Sequence, residues 1–255
     1  MFRRIVPSFV VAALVLAGCG GAGPGISDPK EIVSQGLQAT GEAKSFHLLV
    51  TADGNVTVPE LGGQFGLNGM QLEGDFDLES QSAQLSLSIP SFMGLTGDFI
   101  LVDDTFYLRT SMTGELWTKM DGGVEQEVPT DPEEALAQMR QFLDTEGVET
   151  QKLDDVECGD TTCYAVRMTI PTEVMGGEAA QELGEDPSAI FGEELVLDLR
   201  FDRQNLWLRG LSTSIAGEGG TFDVEVTLSA FNEPVQVSPP PADQVTDELP
   251  LLPGL

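Results

Sequence analysis

Basic side chains are scarce in this sequence. Lysine and arginine number 12 against 42 aspartates and glutamates, a formal net charge of −30 over 255 residues. A chain of that sign is repelled by nucleic-acid phosphates and by anionic headgroups, which excludes DNA or RNA binding. Histidine occurs once, at His47. A lone histidine at the head of an alternating segment reads as a hydrogen-bonded structural residue, and it leaves no histidine pair to ligate zinc. No G-x-S-x-G elbow and no phosphate-binding loop occurs, and the glycines of GCGGAGPG do not stand between a strand and a helix. Asp155, Glu157 and Asp160 could seat a calcium ion, yet the ordered spacing of an EF-hand loop is missing. The expectation is a protein that is not an enzyme and needs neither cofactor nor metal.

Long apolar runs are missing as well. Ile5 to Leu16 is apolar apart from Pro7 and Ser8, shorter than the roughly 20 residues that span a bilayer. Arg3 and Arg4 precede it and the small residues Ala17 and Gly18 follow, so residues 1–18 read as an export signal with a cleavage site. The arginine pair hints at twin-arginine export, but FRRIV lacks the usual flanks, and the general route is expected. Cysteine occurs three times. Cys158 and Cys163, in C-G-D-T-T-C at a Gly-Asp turn, predict a disulfide that pins a hairpin. The rival reading, a redox pair, lacks C-x-x-C spacing. Cys19 is then the odd cysteine. The tetrad Leu16-Ala17-Gly18-Cys19 resembles a bacterial lipobox, which implies cleavage before Cys19 and acylation of its sulfur; the alternative is an ordinary signal peptide with a chance cysteine. The resemblance implies a membrane partner reached through the lipid on Cys19. The protein would stand on the outer face of the cell membrane, or on the outer membrane of a two-membrane host. Residues 19–27 form a short tether that keeps the domain close to that membrane.

Helix signals are few. Asp28, Pro29 and Glu31 form an N-terminal capping pattern, Ile32, Val33 and Leu37 share a face, and Gly41 is a stop signal. Asp131-Pro132 opens a second helix with Leu136, Met139 and Leu143 on one stripe and Phe142 beside it. Asp186-Pro187 starts a weaker helical stretch toward Phe191. Nearly everything else alternates with period two, as in Met70 to Leu78, Leu85 to Ile89, Tyr164 to Ile170, Leu195 to Phe201 and Phe222 to Leu228. Alternation with one polar face predicts antiparallel strands, wet on one side and covered on the other. The predicted fold class is α+β: a single strongly curved antiparallel sheet, a half-barrel of about ten strands, with two or three helices over its concave face. This domain runs over residues 28–238, and a Pro-rich tail, 239–255, lies extended along the surface.

This order of elements resembles a known family: a lipobox, a short tether, an Asp-Pro helix, a long β meander with VPTDPEEALAQM midway and FNEPVQVSPPPADQV near the end. It is similar to the LppX/LprG-type lipoproteins of the LolA/LolB-like lipoprotein-carrier superfamily. The resemblance implies a half-barrel closed by helices around an apolar cavity that holds the acyl chains of lipids or glycolipids and moves them within the envelope. The family has no ligand motif to carry across residue by residue. From the residues themselves, Phe92, Met93 and Leu95 in a Gly-flanked loop, and Val174, Met175, Leu183 and Phe191 in a Gly-interrupted one, are candidates for the mouth or lining. Ile32, Val33, Leu37, Leu136, Met139 and Leu143 on the helices complete that set. The alternative functional reading is an envelope interaction or sensor lipoprotein whose sheet, with a filled core, recognises a protein partner.

Overall fold

The computed structural model describes residues 25–58, 63–112, 114–120, 141–175, 188, 191–217 and 219–246. Its first element is helix α1, Pro29–Gly41. The Lys30 amide donates to the Asp28 carboxylate at 2.9 Å, which caps the helix as the sequence predicts. Glu31 does not close the capping box. Its carboxylate accepts instead from Gln35 one turn on, at 2.8 Å, and the chain leaves the helix at Glu42.

Fourteen strands build one sheet. In chain order they are β1 Ser45–Val58, β2 Gly63–Gly66, β3 Met70–Asp77, β4 Ser82–Ile89, β5 Leu95–Val102, β6 Thr105–Thr110, β7 Trp117–Met120, β8 Glu149–Lys152, β9 Val156–Cys158, β10 Thr161–Pro171, β11 Glu194–Asp202, β12 Leu208–Gly217, β13 Gly220–Ser229 and β14 Val245–Thr246. The sheet is longer than the ten strands expected because β2, β8, β9 and β14 are each two to four residues long, too short to display a period. The path runs β14-β7-β6-β5-β4-β3-β1-β13-β12-β11-β10-β8, with β2 on β1 and β9 on β10. It is antiparallel throughout except where β14 joins β7. β1 is the central strand, and a meander extends from each of its sides.

The paired registers give every strand the same two faces. One row runs Val226, Val50, Leu72, Leu87 on neighbouring strands, and the next runs Leu228, Leu48, Gly74, Leu85, Phe99, Leu108. The other face carries Glu225, Thr51, Gln71 and Ser88 in one row. Gly74 stands where a Cβ would collide with the Gln84 carbonyl on the neighbouring strand. The missing side chain lets β3 and β4 approach closely on the apolar, inner side.

α1 lies across the inner face of the β8–β12 side. Ile32 and Val33 are fully buried against Val166, Leu199 and Phe201, and Leu143 and Val148 complete this core. A second cluster closes the end at which β1 begins, here called the lower rim. There Phe231 stacks on Trp207 at 4.7 Å, and Phe46 stacks on Phe76 at 4.9 Å. Past Phe231 the chain turns onto the outer face, where the Ser45 hydroxyl donates to the Glu233 carbonyl at 2.6 Å. It finishes beside Trp117 as β14. Ser45 and Trp117, outer-face residues at the two ends of this route, are buried, as are Ser82 and Ile100 on the same face. Within the described residues, the Pro-rich segment up to Thr246 is a strap joined to the sheet.

Cys158 and Cys163 are bridged across the β9–β10 hairpin, whose Gly159 turn has φ +71°. Removing the bridge with Cys163→Ser is expected to cost about 2 kcal/mol, the chain-entropy value for so short a loop. Denaturant melts of oxidised wild type and variant measure it.

Candidate functional site

The inner face is covered unevenly. Val50, Leu72, Leu85, Leu87, Phe99 and Leu108 are all apolar, yet each is only half-buried and belongs to neither core cluster. Among the described residues, helix α1 packs against β8, β10, β11 and β12 and stops short of this region. Among the described residues this leaves an apolar trough over β1 and β3–β6. It is walled by α1 and its core on one side and closed at the lower rim by Phe46, Phe76 and Phe231. Toward the upper rim it runs out at Ile89 and Leu95, the feet of the β4–β5 turn.

The outer face has different chemistry. A polar cleft of about 550 Å³ lies over β1 and β10–β13, lined by Thr51, Asp53, Arg167, Asp198, Ser214 and Asp223 among others. Its arginine is already engaged: Arg167 Nε and Nη2 donate to the two Asp198 oxygens, both at 2.7 Å. Those hydrogen bonds hold the Asp198 carboxyl below its ordinary pKa; burial opposes them, and the charges of Arg167 and Arg200 add to the lowering. A carboxylate depressed in the folded state contributes stability that is complete above its unfolded pKa near 4 and lost as pH falls through the lower folded value. Wild type is therefore expected to lose more thermal stability than Asp198→Asn between pH 5 and pH 2.5 in paired melts. Arg200 likewise reaches Glu225 at 2.8 Å. His47 faces Asp75 across the β1–β3 pair at 2.9 Å, the hydrogen-bonded role its isolation in the sequence suggests. Asp155, one of the calcium candidates, is engaged by Lys152 at 2.7 Å and Arg203 at 3.1 Å, and Asp160 lies 3.7 Å from Arg209.

Two solved structures share this architecture. Lipoprotein LppX of Mycobacterium tuberculosis superposes with a TM-score of 0.52 at 18% identity, over 83% of this chain and 100% of its own. The fold is that of the LppX type. LprF of Mycobacterium bovis agrees equally well, with a TM-score of 0.52 and 18% identity over 85% of this chain and 98% of its own. No protein-family model and no curated protein sequence matches the chain.

In this LppX-type sheet the residues singled out from the sequence separate into groups. Ile32, Val33 and Leu143 sit in the core beneath α1, with Leu37, Val174 and Met175 packed against it. Phe92, Met93 and Leu95 lie together at the upper end of the trough: Phe92 rests on Phe65 with ring centroids 5.5 Å apart, and Met93 projects into solvent. Phe191 is half-buried at the end of the segment before β11. Cys19, Leu136, Met139 and Leu183 lie outside the described residues. Sequence reasoning missed the trough floor itself, Val50, Leu72, Leu87, Phe99 and Leu108. Their signal was present as the apolar half of each alternating strand, but that pattern does not say which stretch of a sheet a helix leaves bare.

What the trough offers an apolar ligand is surface. Contact with an alkyl chain would remove apolar area from water on both partners, worth about 0.8 kcal/mol per buried methylene. Moving the chain from a bilayer is nearly neutral, because the lipid interior is equally apolar.

Proposed function

We propose that the protein is an exported lipoprotein, acylated on Cys19, that holds the acyl chains of a lipid or glycolipid in the trough and carries them within the cell envelope. The observation that carries this reading is the half-buried floor of β1 and β3–β6, apolar at Val50, Leu72, Leu85, Leu87, Phe99 and Leu108, beside a core that is buried under α1. The fold shared with lipoprotein LppX and the Leu-Ala-Gly-Cys tetrad support it. A single acyl chain binds a membrane marginally and two hold it, so a chain this acidic needs lipid to stay on a bilayer. Among the described residues no helix is long and apolar enough to cross a membrane.

The test uses Cys19→Ser expressed in the native host. The variant is expected to leave the membrane for the soluble exported fraction and, in native mass spectrometry, to carry lipid released only on unfolding. Continued membrane retention of an acylated Cys19→Ser protein removes the anchor assignment. A domain that never carries or accepts lipid removes the carrier assignment.

A further inference from the structure

The upper rim collects the most exposed large apolar side chains among the described residues. Met93 is 83% exposed, Leu116 50% and Met112 48%; Leu78 and Val156, less exposed, lie at the lower rim. Strand pairing brings the first three to one tip. The Ser111 amide donates to the Thr96 carbonyl at 2.9 Å and the Thr96 amide to the Ser111 hydroxyl at 3.0 Å, which sets Met112 beside the β4–β5 turn. Leu116 leads directly into β7, whose pairing with β6 holds it at the same end.

The β4–β5 turn is built to present its methionine. The Gly94 amide donates to the Pro90 carbonyl at 3.2 Å and the Leu95 amide to the Phe92 carbonyl at 2.9 Å. Within this frame Met93 has φ +51°, a left-handed conformation that costs a side-chain-bearing residue roughly 1–2 kcal/mol. Strain that holds an apolar side chain in water adds nothing to folding, and such strain collects at functional positions.

Charge marks the same place. Residues 89–97 and 110–114 contain no aspartate, glutamate, lysine or arginine; Asp98 and Arg109 flank them, and the exposed Glu115 stands between Met112 and Leu116. On a chain of net charge −30, this surface carries one exposed carboxylate, Glu115, so approaching a bilayer desolvates fewer carboxylates and repels headgroups less there than elsewhere on the protein. It also lies at the opposite end of the strands from the tether. The Ile26 amide donates to the Tyr164 hydroxyl at 3.2 Å near the start of β10, which fixes the chain's entry toward the lower rim. Strands of eight or more residues put the upper rim roughly 25 Å or more away, at about 3.3 Å per residue. The trough floor opens into the tip through Ile89 and Leu95.

We propose that Met93, Met112 and Leu116 form a bilayer-docking tip that enters the headgroup boundary of a second membrane, distinct from the one holding the Cys19 anchor, so that acyl chains pass between that membrane and the trough. This rests on the carrier reading and names the surface on which exchange takes place. Full-length acylated protein in phosphatidylcholine vesicles is mixed with labelled, protein-free phosphatidylcholine vesicles, and co-flotation of the label is measured. Wild type is expected to capture the second vesicles, and the triple variant Met93→Asp, Met112→Asp, Leu116→Asp to capture at least tenfold fewer, with its thermal melt unchanged. Equal capture by the variant, or none by wild type, overturns the proposal. So does capture limited to vesicles bearing host envelope proteins, which would make the tip a protein dock. Tip-dependent capture by a protein that never carries lipid would uphold the docking tip and sink only the carrier reading.

Discussion

Phe201→Ala is expected to destabilise the protein by about 3–5 kcal/mol, the range for emptying a fully buried aromatic site. At about 2–4 °C per kcal/mol for a domain of this size, the melting temperature should fall by roughly 6–20 °C. Phe201 is wholly buried in the core that joins α1 to the sheet. The helix passes so close that a Cβ on Gly36 would collide with the Phe201 ring, so ring and glycine are a matched pair. Helix propensity alone would make Gly36→Ala stabilising by about 1 kcal/mol. Here it should instead cost about 1–3 kcal/mol as overpacking. In the Phe201→Leu background, with the ring gone, the same Gly36→Ala change should cost less or become favourable. A double-mutant cycle in urea measures that coupling. Additive effects would mean that α1 does not bear on Phe201 as described.

Leu85→Asp should leave the fold intact and abolish the lipid load. Leu85 points into the trough, half-buried and outside both core clusters, so its stability cost should be well below that of Phe201→Ala. An acyl chain laid over an ionised carboxylate must strip its water, and the effective penalty for burying an ion is several kcal/mol. Loss of at least a hundredfold in lipid affinity is therefore expected, read by native mass spectrometry or displacement of a fluorescent fatty acid. Gln84→Asp is the control. It adds the same charge one residue away, on the exposed outer face, and should retain the load. Equal loss from both would point to general destabilisation; retention by both would place the acyl chain elsewhere.

The sequence announces some of this architecture and conceals the rest, for physical reasons. Alternation reveals β3, β4, β10, β11 and β13 because one face is apolar over its whole length, and the Asp28-Pro29 cap reveals α1 because local bonds decide a helix start. The pairing of β1 with β13 joins His47 to Ser229 and is set by the whole sheet, so no window of sequence contains it. β14 is two residues in a proline-rich stretch, stabilised by an edge strand far away in the chain. The site divides along the same line. Ile32 and Val33 declare themselves apolar, but only the position of α1 decides that they are core while Leu85 and Leu87, equally apolar, stay accessible. Met93 is conspicuous only once its backbone conformation is known.

The central place of β1 also sets the order in which the molecule can form. On one side it pairs with β2 and β3, which follow within a dozen residues, and on the other with β13, whose partner residues begin at Gly220. The first meander can assemble while the rest of the chain is still emerging, but it has an unpaired edge along β1 until residue 229 is available. Such long-range closure is slow, and an open strand edge invites pairing with other chains. A protein built this way stays incompletely folded until residue 229 is available, a property that fits the export proposed for it, in which the chain threads a narrow channel before the half-barrel closes.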